Sequence, residues 1–317
     1  MTKLNERKII KIFQKSMGNK RFISEDVEFF KAGKTNFVLK VDTLVQSTDI
    51  PNGMSLQDTA RKSIVACVSD FASKGVKPEY GIVSITIPKK LTTKKIKDIS
   101  TGLGKAAKEF GFKLLGGDTN EGKEIVIHVV LFGTTKKIIP RKGAKANDII
   151  ITTGPFGYTS AGLKILLEKK KASTQFSKKA KKAVFRSNPK LKFGLANAKF
   201  FSSSMDSSDG LSTTLHEMAK QSKRQFIVSK MPTNQDVLDF ARVNKISSVD
   251  LVFHGGEEYE IVATVNPKNL SRVKANAKRQ KISLFEIGHV SKGSGLVYKT
   301  GSKTIRIKNK GWLHFRS

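Results

Sequence analysis

Apolar residues recur every three or four positions in some stretches and every second position in others, and this alternation divides the chain into helices and strands. Residues 3–16 carry Leu4, Ile9, Ile10 and Phe13 on one broad face and predict a helix. NFVLKVDTLV (36–45) alternates and predicts a strand with Asp42 near its end. SLQDTARKSIVACVSDFASKG (55–75) is the clearest helix. Ser55 and Asp58 make an approximate capping box, Ala60, Ile64, Cys67, Val68 and Phe71 form an apolar stripe, and Gly75 ends it. YGIVSITI predicts a strand and TKKIKDISTGLGKAAKEFG a helix stopped by Gly111. FKLLGGD predicts a strand running into a tight glycine turn, with EIVIHVVLFGTT as its neighbouring strand. The polar stretch IPRKGAKAND (139–148) reads as a linker. Beyond it DIIITTGPFGYTSAGLKILLEKK reads strand, glycine turn, helix, and YEIVATV and LFEIGHV are strands. Two domains of α/β type follow, residues 1–144 and 145–317.

Hydrophobic content of 38% with 27% charged residues fits a packed globular chain and excludes a disordered one. The single cysteine, Cys67, excludes a disulfide framework and a cysteine-rich zinc site. The start, MTKLNERKIIKIF, lacks a signal-peptide core, and IVIHVVLFG is too short to span a bilayer. The expectation is a soluble cytoplasmic protein with no membrane partner. A formal net charge of +33 could attract nucleic acid, membrane or small polyanions. The densest basic run, residues 168–192, reads as a solvated surface, since no aromatic ladder interleaves with it. A nucleic-acid partner is disfavoured, and that run is where one would dock.

Familiar motifs are missing. GLGKAAKEFG fails the P-loop spacing, GPFGYTSAG misses the dinucleotide fingerprint, and HEMAK lacks the second histidine of a zinc-protease helix. An EF-hand loop begun at Asp206 puts Gly210 fifth instead of sixth. The five histidines have no metal-ligand spacing, and His128, inside an apolar strand, reads as a satisfied core histidine. What remains is a set of aspartates, Asp26, Asp42, Asp70, Asp118, Asp206 and Asp209, each beside a strand end, a glycine turn or a helix terminus. Taken singly, each reads as a cap or turn former, and Asp209 could cap the helix that begins GLSTTLHEMAK. Asp70 fits that reading poorly. It lies in the last turns of its helix, where the dipole disfavours an anion, so it calls for a lysine or a divalent metal.

The motifs VDTLVQSTDIPNGMS, SDFASKGVKP, LLGGDTNEG, PRKGAKANDIIITTGPFG, MDSSDGL and GGEEYEI, in this order and over nearly the whole chain, resemble the thiamine-monophosphate kinase family, closest to its archaeal branch. That family lies in a wider ATP-using group with aminoimidazole ribonucleotide synthetase, selenophosphate synthetase and a hydrogenase maturation protein. No reactive cysteine near the start and no cysteine tail point to the last two. The resemblance implies a two-domain subunit of α/β and α+β type. The N-terminal α/β sheet domain binds ATP and magnesium and pairs in a homodimer, and a C-terminal α+β domain packs against it. It implies transfer of phosphate from ATP to thiamine monophosphate with Mg²⁺ and no catalytic base. It also implies metal ligands at Asp26, Asp42, Asp70, Asp118, Asp206 and Asp209, and nucleotide contacts at Gly117, Asp118, Arg141 and Ser208. Asp49, Glu257 and Trp312 would meet the thiamine side. Four positions depart from the family pattern. Ser24-Glu25-Asp26 stands for Gly-Asp-Asp, Lys40-Val41-Asp42 for Ser-Thr-Asp, Asp49 for a histidine frequent in bacterial members, and Glu258 for aspartate. Lys40 is thereby placed to carry part of one metal's charge.

Such chemistry wants short oxygen ligands on stiff supports. Hard Mg²⁺ prefers carboxylates to imidazoles, and aspartates at strand ends are held firmly. The helix beginning after Asp209 would add partial positive charge for phosphate. Two other readings remain open: another ATP-dependent enzyme of the same wider group, or a basic nucleic-acid binder on an inactive kinase scaffold.

Overall fold

The computed structural model describes residues 5–18 and 24–312, Arg7 by its backbone alone. The first half runs α1 (Glu6–Ser16), β1 (Glu28–Ala32), β2 (Thr35–Val45), α2 (Gln46–Asp49), α3 (Leu56–Lys74), β3 (Lys77–Pro88), α4 (Thr93–Phe110), β4 (Lys113–Gly122) and β5 (Val126–Thr135). The second half begins β6 (Ile149–Thr152), α5 (Tyr158–Leu167), α6 (Thr174–Phe185), α7 (Leu191–Asn197), β7 (Phe201–Ser207), α8 (Leu211–Ser222) and β8 (Gln225–Val228). It ends α9 (Gln235–Val243), α10 (Ser248–Phe253), β9 (Glu260–Val265), α11 (Pro267–Arg279), β10 (Phe285–Ser291), β11 (Gly295–Thr300) and β12 (Lys303–Arg306). The first half forms a five-stranded sheet of order β1-β2-β5-β3-β4, and the second a seven-stranded sheet of order β12-β11-β8-β10-β6-β9-β7. The fold is mixed α/β, with one parallel pair in each sheet, β3 with β4 and β8 with β11. Among the described residues no helix is long and apolar enough to cross a membrane.

Helix α3 is the structural centre. The Ser55 side chain accepts the Asp58 N–H at 3.1 Å and its hydroxyl donates to the Asp58 carboxylate at 2.9 Å, while Gly75 closes the other end at φ 67°. The expected stripe of Ala60, Ile64, Cys67, Val68 and Phe71 is fully buried, but so is most of the remaining circumference, including Arg61, Lys62, Asp70 and Lys74. The first sheet covers one side of α3, while β7, β9 and α7 of the second half cover another. One hydrophobic cluster therefore joins Val38, Ile127 and Leu131 to Ile151, Phe193 and Ala263 across the two halves. A second cluster, with Leu215, Met218, Phe226 and Val262, fills the far face of the large sheet under α8. Close backbone contact tightens the junction: a Cβ at Gly194 of α7 would lie 1.9 Å from the Ala72 carbonyl oxygen.

Several local expectations change. The glycine pair of FKLLGGD does not turn; Gly116 and Gly117 continue β4, where a Cβ at Gly117 would lie 1.6 Å from the Val83 carbonyl oxygen. β5 is not the neighbour of β4. It lies between β2 and β3, because its alternating apolar residues bury Ile127, Val129 and Leu131 in the sheet's centre and leave exposed β4 at the edge. His128 is satisfied, with Nδ1 2.8 Å from the Thr43 hydroxyl, yet it sits half-buried on the sheet face turned away from the core. The apolar face of α1 is not covered: Ile10 and Phe13 are exposed, and Leu4 lies outside the described residues. The basic run becomes α6, which buries Phe176, Ala180 and Val184 and turns most of its lysines to solvent.

Candidate functional site

Three elements bring carboxylates together where the two halves meet. Asp26 precedes β1, Asp70 lies in the last turns of α3, and Asp206 lies near the end of β7, facing α3. Each is buried and offers one oxygen, and the three oxygens lie within 4.8 Å of one another. All are hard donors of the kind a small divalent cation prefers.

Buried charges need partners, and α3 supplies most of them. The Ser69 hydroxyl donates to Asp206 at 2.8 Å, and the Ser73 hydroxyl to Asp26 at 3.1 Å. The fully buried Lys74 ammonium is 2.8 Å from Asp26 and 3.0 Å from Glu25, and it donates to the Ser204 carbonyl at 2.7 Å. Arg141 donates through Nε to Asp26 at 2.7 Å, contacts the same oxygen through a second guanidinium nitrogen, and anchors Glu25 with its main-chain N–H. Lys40 reaches from β2 to Asp70 at 2.8 Å and lies 3.8 Å from Asp42.

The carboxyl groups respond unequally. Burial pushes Asp26 up, but Lys74 and Arg141 outweigh it and hold the group at about 2. Burial and the charge of Asp26 push Asp206 up to about 6, despite the Ser69 hydrogen bond. Asp70 is pushed well above the ordinary carboxylate range by burial and by Asp206 and Asp26, against the opposing pull of Lys40. Asp206 has a hydroxyl and no ammonium in direct contact, and Lys40 does not fully offset the burial of Asp70, so a divalent cation would supply the missing charge. The donor set fits such an ion.

The other expected residues lie in different surroundings. Asp42 is half-exposed and accepts the Thr43 N–H at 2.8 Å. Asp118 sits exposed on β4, where it accepts from Asn120 at 2.9 Å, and Gly117 precedes it. Asp209 does not cap α8. The N-cap is Gly210, at φ 107°, with no side-chain cap, and the Asp209 carbonyl instead accepts the Trp312 N–H at 2.9 Å. Ser208 and Glu257 meet through backbone, the Glu257 N–H donating to the Ser208 carbonyl at 2.6 Å. Glu257 and Tyr259 hold left-handed φ values of 66° and 54°, a strained loop pinned to the end of β7. Asp49 accepts the Val45 N–H at 2.7 Å, and Trp312 is 57% exposed. Of the expected nucleotide contacts, Arg141 alone touches the buried trio directly.

Sequence reasoning passed over several site residues. Lys62, buried on α3, is 2.5 Å from the Glu257 carboxylate and donates to the Asp49 carbonyl at 2.8 Å, so it ties together two expected substrate residues. Ser69, Ser73, Lys74 and Glu25 were equally silent. For the residues of α3 the signal is in SDFASK, where Ser69, Asp70, Ser73 and Lys74 at i, i+1, i+4 and i+5 make a polar stripe in the last turns of the helix.

The family described as AIR synthase related protein, N-terminal domain, matches residues 24–135, and the corresponding C-terminal domain matches residues 145–300. A thiamine-monophosphate kinase of Nitrosopumilus maritimus is 55% identical over 316 residues, covering 100% of both chains. The protein of the same name from Pyrococcus horikoshii is 29% identical and covers 100% of this chain and 98% of its own. Among solved structures, AaThiL complexed with AMPPCP and TMP superposes with a TM-score of 0.86 at 22% identity, covering 99% of this chain and 98% of that one.

Proposed function

We propose a mechanism from one premise: the chain belongs to the thiamine-monophosphate kinase family. It transfers the terminal phosphoryl group of ATP to the phosphate of thiamine monophosphate, giving ADP and thiamine diphosphate. The observation that carries this reading is the convergence of Asp26, Asp70 and Asp206 from both halves of the fold within 4.8 Å.

The acceptor is a phosphate monoester, largely ionised at neutral pH, so no side chain has to remove a proton from it. The obstacle is repulsion. Two unit charges about 4 Å apart repel by about 4 kcal/mol at an effective dielectric of about 20, and two phosphates present several such pairs. Asp26, Asp70 and Asp206, with Asp42, Asp118 and Asp209 as further ligands, would hold Mg²⁺, whose charge would offset that repulsion. The remaining work falls to the chain's own residues. Lys74 and the serines of α3 fix the carboxylates before substrate arrives, which lowers the cost of ordering them later. Gly117, Asp118, Arg141 and Ser208 receive the nucleotide phosphates, aided by the N-terminus of α8. Asp49, Glu257 and Trp312 receive the thiamine end, with Lys62 steadying Glu257.

The working unit in this reading is a homodimer formed through the first sheet. Val41, Tyr80 and Ile82 are exposed on the face turned away from α3, beside a row of rings in which Phe30 stacks on Phe37 at 5.2 Å and Phe132 follows at 6.1 Å. Water-exposed apolar strips of this kind ask for a covering surface. The residue ranges 1–144 and 145–317 serve as the two functional halves, and consumption of ATP fits a cytoplasmic setting. Purified chain incubated with ATP, Mg²⁺ and thiamine monophosphate should form thiamine diphosphate, detected directly by chromatography. A folded preparation that makes none, or that turns over an aminoimidazole precursor instead, refutes the assignment.

A further inference from the structure

We propose that the Lys40 ammonium is a resident cation of the acidic centre, filling the position between Asp42 and Asp70 that a divalent ion would otherwise take. The inference rests on the metal-assisted reading above and concerns how many ions the centre holds. Lys40 projects from the core-facing side of β2, on the same side as Val38 and Leu44, so its charge is directed inward. Its Nζ lies 2.8 Å from Asp70 and 3.8 Å from Asp42, bridging two of the expected ligands.

Among the described residues one cluster of three carboxylates, Asp26, Asp70 and Asp206, can hold an ion in the buried centre. Asp42 and Asp70 are the next pair of expected ligands, and the Lys40 ammonium stands between them. A neutral side chain in its place opens that position to a second divalent ion. An ammonium at hydrogen-bond distance from Asp70 also occupies that oxygen and repels a second divalent ion from the same pair. Lys40 is thus a positioning residue: it sets the ion count and holds Asp70 without itself touching the reacting atoms.

The test is a count of bound ions made without nucleotide or thiamine monophosphate, so its answer does not depend on the kinase assay. Mn²⁺ is titrated into the purified full chain and free ion is followed by electron paramagnetic resonance. The wild-type chain should bind one Mn²⁺ tightly per subunit. Lys40→Met should bind one more, and Lys40→Arg should keep the wild-type number. Two or more tight ions in the wild-type chain overturn the proposal, a measurement that needs no variant to fold. Equal counts for wild type and a Lys40→Met protein that melts cooperatively overturn it as well.

Discussion

Asp206 and Asp118 are both expected metal ligands, and both follow short polar or glycine-rich stretches, yet the fold treats them in opposite ways. Asp206 is buried between α3 and the large sheet, held by Ser69 and crowded by Asp26. Asp118 lies in the open on the outermost strand of the small sheet, with Asn120 as its hydrogen-bond partner. The buried centre carries its own lysines and arginine because carboxylates withdrawn from water cannot stay ionised otherwise. The exposed edge can rely on water. In the proposed mechanism one part of the site would therefore be built during folding, and the other would be assembled when substrate docks.

Substitutions can break that contrast. Asp206→Asn and Asp118→Asn should each lower turnover at least about a hundredfold, the scale of a lost electrostatic contact to developing charge. They should differ in Mn²⁺ binding without nucleotide, which Asp206→Asn weakens and Asp118→Asn leaves intact. Loss of binding in both would show that the edge strand already belongs to the prebuilt centre. Lys74→Met strips the buried carboxylates of a partner and should cost roughly 4 kcal/mol of stability in urea denaturation. Asp118→Asn should change stability by less than about 0.5 kcal/mol.

Glu258 shows what burial does where no cation is near enough to rescue a carboxylate. Burial pushes it up to about 8, against the Gly157 N–H, which donates to it at 3.2 Å. The folded chain keeps this proton up to about pH 8, whereas the unfolded chain loses it near the ordinary value of 4.5. Between those limits the folded state holds more protons, so this group makes stability fall as pH rises. Glu258→Gln should flatten that fall by about 3 kcal/mol, read as the change in urea midpoint between pH 5 and pH 8. The smallest effect belongs to the outer face of α6. Lys178→Glu should leave turnover within about twofold and stability within about 0.5 kcal/mol, since the side chain is exposed.

Much of this was legible in the residues, for reasons that can be stated. The α3 stripe, its serine cap and its terminal glycine are local signals, and they produced the helix as expected. The mismatch between Asp70 and its helix dipole pointed to a cation before any geometry was known, and Lys40 answers it. The rest depended on long-range packing. Periodicity could not show that α3 is enclosed on nearly every side, so nothing in it set Lys62 and Lys74 apart from other lysines. Nor could it show that β5 crosses to the middle of its sheet, since strand order is set by which faces need covering. Gly117 reads as a turn from sequence and as a close strand contact from structure; both uses need the missing Cβ.

Helix α3 packs against the small sheet on one side and against β7, β9 and α7 on the other, with Gly194 drawn tightly onto its backbone. It works as an axle fixed in both wheels. A chain built this way has little freedom to swing shut like a jaw around its substrates. Selectivity must then be exercised at the moment of docking, by the contour of a gap already set, and improvements in speed should come from reshaping surface loops instead of loosening a hinge.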